Sequence, residues 1–152
     1  MSNLDAKLRV KMRQEIKQIQ NKFNITMVFV THDQEEAMVL GDSIAIMDQG
    51  NLVQIGNPEE VYTKPANEFS RNFLGISNHF QDEHGTEIYC RPEDLIFVEN
   101  GRIHGTILRE EFLGFYRQYY IRLTNGSEII LRAERDVCRP VGEKVALDMK
   151  IS

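Results

Sequence analysis

The side chains with chemical potential sit close together near the N-terminus. His32 lies in Thr31-His32-Asp33, directly after the apolar run Ile25-Thr26-Met27-Val28-Phe29-Val30. An imidazole at the end of a buried strand stands where α/β enzymes present ligand-facing groups, and it can donate or accept a proton near neutral pH. Read by itself, a lone histidine in such a place is more often structural than catalytic. Asp33, Glu35 and Glu36 could be taken for metal ligands around it. The plainer reading is a cluster of carboxylates at a helix N-terminus, where the helix dipole favours them. Ser2 and Asp5 have the spacing of helix-capping residues. Cys90 and Cys138 lie far apart without C-x-x-C spacing, so a metal or redox pair is not indicated and both read as small core residues. Phe112, Phe115, Tyr116, Tyr119 and Tyr120 form the densest aromatic group. Such rings can stack single-stranded bases, or simply fill a core. Arg91 beside Glu93 and Asp94 suits an ion pair or a small oxyanion. His79, His84 and His104 have no ligand spacing.

Periodicity indicates the helices and strands that carry these groups. Residues 2–23 read as a helix, with Leu4, Leu8, Met12, Ile16, Ile19 and Phe23 on one apolar stripe and Lys7, Lys11, Arg13 and Lys17 off it. Residues 25–30 read as a strand buried on both faces. Asp33 caps a helix over 34–40 that stops at Gly41. Residues 43–47 and 51–55 form a hairpin around Asp48-Gln49-Gly50, and short helices come next at 58–63 and 66–74. After Gly75 the pattern changes to two-residue alternation, with strands expected at 87–91, 94–98, 103–112, 116–123, 128–133 and 144–151. Short strands at that spacing imply a small barrel or sandwich. The expected boundary falls near residues 76–79, giving an α/β segment over 1–76 and an all-β segment over 77–152.

With 41% hydrophobic and 27% charged residues, the 152-residue chain has the composition of a folded soluble protein. The formal charge of −5 is shared by both halves, which argues against a nucleic-acid partner. No run approaches the roughly 18 apolar residues that span a bilayer.

The first half resembles the C-terminal end of an ABC-transporter nucleotide-binding domain. Ser2-Asn3-Leu4-Asp5 looks like the D-loop, and residues 25–30 with Thr31-His32-Asp33 look like the strand and loop of the switch histidine. Gln34-Glu35-Glu36-Ala37-Met38, then residues 41–47, 50–62 and 65–67, are similar to the stretch beyond the switch histidine in ATPases of maltose, polyamine and ferric-iron importers. The second half resembles the OB-like TOBE barrel of those proteins, through Arg91-Pro92-Glu93-Asp94, Phe112-Leu113-Gly114 and Gly142-Glu143-Lys144-Val145.

The resemblance implies a remnant of a P-loop ATPase domain followed by that barrel, in a cytoplasmic subunit peripheral to the cell membrane. His32 would position γ-phosphate and water, and Ser2 and Asp5 would act across a dimer. ATP and magnesium would be the cofactors of the longer parent, and transmembrane permease subunits its partners. The 152 residues contain no G-x-x-x-x-G-K-[ST], no L-S-G-G-Q and no acidic segment ahead of Ser2. On this reading the chain alone binds no nucleotide and hydrolyses none, and it supplies D-loop, switch histidine and regulatory barrel. The rival reading is a freestanding sensor of a small ligand such as an oxyanion. Without parallel neighbours the strand at 25–30 would invite self-association.

Overall fold

A computed structural model describes residues 3–82 and 84–150, with the side chains of residues 3–6 outside that description. The chain divides into two units, Met1–Gly75 and Ile76–Ser152.

The first unit contains α1 (Asn3–Phe23), α2 (Gln34–Leu40), the hairpin β1 (Ile44–Asp48) and β2 (Asn51–Gly56), α3 (Pro58–Thr63) and α4 (Glu68–Phe73). Asn24 ends α1 in a left-handed conformation with φ 48°, as a short polar side chain tolerates. Alternation along β1 turns Ile44 and Ile46 inward, and they form a small core with Val61 and Leu74. Side-chain carbonyls of Asn57 and Asn67 accept from the amides of Glu60 and Ser70, capping α3 and α4. The last helix is therefore shorter than the expected 66–74.

Two expectations fail here. Residues 25–30 form no strand; all are exposed, Val28 to 89% and Val30 to 93%. Their β-branched composition favours an extended chain, but a strand persists only where neighbours pair its backbone and cover its faces. Among the described residues no strand pairs with them. The orientation of α1 is also reversed. Leu8, Met12, Ile19 and Phe23 are exposed, whereas Arg13, which lies off the apolar stripe, is buried. The helix meets α2 through charged side chains instead.

The second unit contains β3 (Asn78–Gln81), β4 (Glu87–Cys90), a 3-10 turn (Pro92–Asp94), β5 (Leu95–Val98), β6 (Ile103–Phe112), β7 (Tyr116–Leu123), β8 (Glu128–Glu134) and β9 (Lys144–Met149). The strand β3 was not foreseen; its four residues lie at the expected boundary and pair with β4 as a separate ribbon. The other five strands form one antiparallel sheet in the order β5-β9-β6-β7-β8. A register shift between Ile107 and Arg109 marks a bulge in β6, which bends and twists that strand. The sheet curls until β8 comes beside β5 and the 3-10 turn, but no ladder joins β5 to β8. The barrel is thus OB-like and not closed by hydrogen bonds. Its core gathers the inward residues of every strand, including Leu95, Ile107, Tyr119, Ile121, Ile129, Leu131 and Leu147. Cys90 belongs to this core; Cys138, expected there too, is exposed.

Candidate functional site

The Thr31-His32-Asp33 loop is built from short-range hydrogen bonds. Asp33 is the N-cap of α2, and its Oδ1 accepts from the amide of Glu36 at 3.1 Å. Its own amide donates to Thr31 Oγ1 at 2.9 Å, and Thr31 Oγ1 donates to Glu36 Oε2 at 2.7 Å. These bonds fix residues 31 and 33 and leave His32 between them with its ring exposed.

The loop is tied to α1. Arg13 Nη1 donates to Glu35 Oε2 at 3.0 Å, Nη2 lies 3.5 Å from Asp33 Oδ2, and Arg9 lies 3.8 Å from the same oxygen. One turn further, Lys17 Nζ reaches Asp42 Oδ1 at 2.6 Å and Leu40 O at 3.2 Å, while Gln20 donates to Asp42 Oδ2 at 3.0 Å. Arg9, Arg13 and Lys17 are spaced by four and share one face of α1. That face grips α2 at both ends, carboxylates at its N-terminus and a carbonyl at its C-terminus. The amide of Glu36 holds the Asp33 carboxyl below its usual range, with Arg13, the Glu35 amide and Arg9 assisting against partial desolvation. Hydrogen bonds from Lys17 and then Gln20 do the same for Asp42. At Gly41 a side chain would meet the carbonyl of Ala37 at 2.9 Å, so close approach selects glycine there, not left-handed backbone.

Of the sequence-derived site residues, His32 lies on this exposed loop. Ser2 lies outside the described residues. Asp5 falls within α1, and its side chain lies outside the description. The carboxylates beside His32 do not suit a magnesium ion: Asp33 and Glu35 face Arg13, and Glu36 accepts from Thr31. Among the described residues no group of three or more His, Cys, Asp or Glu side chains could hold a metal. The arrangement offers one exposed imidazole on a braced loop. Sequence reasoning missed the brace, although the spacing of four between Arg9, Arg13 and Lys17 signalled it.

In the second unit the aromatic group divides. Tyr119 is fully buried, donating to Val137 O at 2.6 Å and accepting from the Arg139 amide at 3.1 Å. Guanidinium groups lie over three of the other rings: Arg109 over Tyr120 at 3.8 Å, Arg117 over Phe112 and Arg132 over Tyr116, each at 5.0 Å. Phe115 stays exposed. Gln118 accepts from Arg132 Nε and donates to Tyr120 OH, which donates to Glu111. In the turn after β4, the Arg91 amide donates to Asp94 Oδ2 at 2.7 Å and its guanidinium to Ile76 O at 3.2 Å. Arg91 thus serves as a brace within this unit.

The family model described as TOBE domain matches residues 88–151. The second unit carries a TOBE domain. The chain is also homologous, over most of its length, to ATP-binding subunits of ABC importers. It is 34% identical to the spermidine/putrescine import ATP-binding protein of Clostridium acetobutylicum, covering 96% of this chain and 48% of that protein. It is 37% identical to the Fe(3+) ions import ATP-binding protein of Fusobacterium nucleatum, covering 99% and 48%. Against the trehalose/maltose import ATP-binding protein of Thermococcus litoralis, identity is 57% over 49% of this chain and 20% of the relative. The chain spans about half the length of the first two. No helix of the described TOBE domain or of the first unit is long and apolar enough to cross a membrane.

Proposed function

We propose that this chain is the switch-loop and TOBE portion of an importer ATPase subunit, and that it acts only within a longer ATP-binding assembly. Homology to import ATP-binding proteins along nearly the whole chain carries the reading. The exposed imidazole of His32 on a rigid loop supports it. In that assembly His32 donates a hydrogen bond to the terminal phosphate of ATP and orients the attacking water. Ser2 and Asp5 contribute across the dimer. Phosphate-binding groups and magnesium ligands come from outside these residues, because the carboxylates beside His32 are already engaged. The TOBE domain regulates or dimerises the subunit, which works on the cytoplasmic face of the membrane with permease partners. The names of the relatives span polyamine, iron and sugar import.

The test compares the 152-residue chain with a longer subunit carrying it behind a phosphate-binding loop. The chain alone should neither bind a fluorescent ATP analogue nor release phosphate. The longer protein should do both, and His32→Ala should abolish turnover while leaving nucleotide binding within about threefold. Turnover by the short chain, or full activity of the His32→Ala subunit, refutes the reading.

A further inference from the structure

Asp33, the residue after His32, is held at three points. Its amide donates to Thr31 Oγ1 at 2.9 Å and its Oδ1 accepts from the Glu36 amide at 3.1 Å, both within the loop and the first turn of α2. The third tie leaves the loop. Asp33 Oδ2 lies 3.5 Å from Nη2 of Arg13, whose Nη1 donates to Glu35 Oε2 at 3.0 Å. The first two bonds set the shape of the loop; the third sets where that shape stands relative to α1. Arg9 approaches the same oxygen to 3.8 Å with a half-exposed side chain, whereas the side chain of Arg13 is 9% exposed. A guanidinium withdrawn from water is costly unless carboxylates meet it, and here two do.

We propose that Arg13 is a positioning residue for His32. Its planar fork fixes Asp33 and Glu35 together, and through the peptide bond between residues 32 and 33 it holds the imidazole where it meets the terminal phosphate. The assignment rests on His32 acting at that phosphate. Lys17 makes the corresponding tie at the other end of α2, to Asp42 Oδ1 at 2.6 Å and Leu40 O at 3.2 Å. Loss of Arg13 therefore frees the end that bears His32 and leaves the far end held. The loop then keeps its internal bonds and its imidazole, but the ring samples positions displaced from the reacting atoms. A misplacement on the order of 1 Å in such a group can cost about a hundredfold in rate. Nucleotide binding, supplied by groups outside these residues, is untouched. The signature is a loss in kcat with affinity for ATP kept.

The experiment uses the longer subunit that carries this chain behind a phosphate-binding loop. Arg13→Ala should lower kcat about tenfold or more while leaving KM and the affinity for a fluorescent ATP analogue within about threefold. Arg13→Lys, which keeps the charge without the fork, should fall between wild type and Arg13→Ala. Glu35→Ala removes one of the fork's two partners at a side chain that is 78% exposed, and should lower kcat about threefold. If Arg13→Ala fails to fold, Glu35→Ala decides: undiminished kcat there overturns the proposal. Wild-type turnover in Arg13→Ala overturns it as well. So do equal losses of kcat and nucleotide affinity, the mark of a structural residue. His32→Ala separates this outcome from the reading beneath it. A fully active His32→Ala subunit removes both, whereas an inactive one beside a fully active Arg13→Ala removes the positioning role alone.

Discussion

The side-chain amide of Asn78 occupies the place of a missing strand residue beside Ile130: Nδ2 donates to Ile130 O at 2.7 Å, and Ile130 N donates to Asn78 Oδ1 at 2.8 Å. The two residues lie 52 apart in sequence, and the side chain of Asn78 is buried. One amide thus satisfies both outward backbone groups at a point on the edge strand β8 and fastens the β3–β4 ribbon to the main sheet.

Asn78→Ala should leave the part-buried amide and carbonyl of Ile130 without these partners and cost about 1–3 kcal/mol. Asn78→Asp keeps the acceptor but turns a carboxylate toward Ile130 O, and should cost at least as much near neutral pH. Urea unfolding followed by tyrosine fluorescence measures both. A loss below about 0.5 kcal/mol for Asn78→Ala would contradict the assignment.

Arg13→Ala should release the N-terminus of α2 from α1. The amides of Glu36 and Ala37, which donate to Asp33 Oδ1 and Asp33 O, should exchange with deuterium about tenfold faster or more. The amides of the TOBE sheet should not change. Arg13→Lys keeps the charge without the fork that reaches Glu35 and Asp33 together, so it should restore only part of the protection.

Acid should loosen the same clamp. Asp33 and Asp42 both titrate below their ordinary value in the folded chain. A depressed carboxylate stabilises the fold above the unfolded pKa of 3.8, and that contribution disappears as pH falls through the lower folded values. Protonating Asp33 weakens its bonds to the Glu36 amide and Arg13; protonating Asp42 weakens its bonds to Lys17 and Gln20. Thermal melts in low salt should show stability falling as pH drops below about 4. In Asp42→Asn part of that slope should be gone.

Alkali should act on the TOBE core. Burial pushes the Cys90 thiol from 9.0 up to about 11, opposed by its contact with Asn78 and reinforced by Asp94 and Glu93. Below pH 9.0 the thiol is protonated whether the chain is folded or not. Between 9.0 and about 11 the unfolded chain loses the proton and the folded chain keeps it, so unfolding gains. The effect is on the order of 2–3 kcal/mol at its full extent. Comparing the pH dependence of denaturation midpoints for wild type and Cys90→Ala isolates it: the variant should lose less stability across that window.

Periodicity and turn residues carried most of the local structure. Alternation along 103–112, 116–123 and 128–133 marked these segments as strands, since successive side chains of a strand point to opposite faces. Asp33 as the cap of α2 was legible because a carboxylate two residues after Thr31 needs only nearby amides. The motifs Arg91-Pro92-Glu93-Asp94 and Gly142-Glu143-Lys144-Val145 were enough to suggest the TOBE likeness. Tertiary structure decided the rest. An apolar stripe tells that a helix has a sticky face, not what meets it, so the burial of Arg13 and the exposure of Leu8 and Met12 could not be read from spacing. A β-branched run tells that a strand is possible, but its partners lie elsewhere, and among the described residues no strand pairs with residues 25–30. The bidentate contact of Asn78 with Ile130 joins residues far apart along the chain, and only folding could bring that amide to that edge.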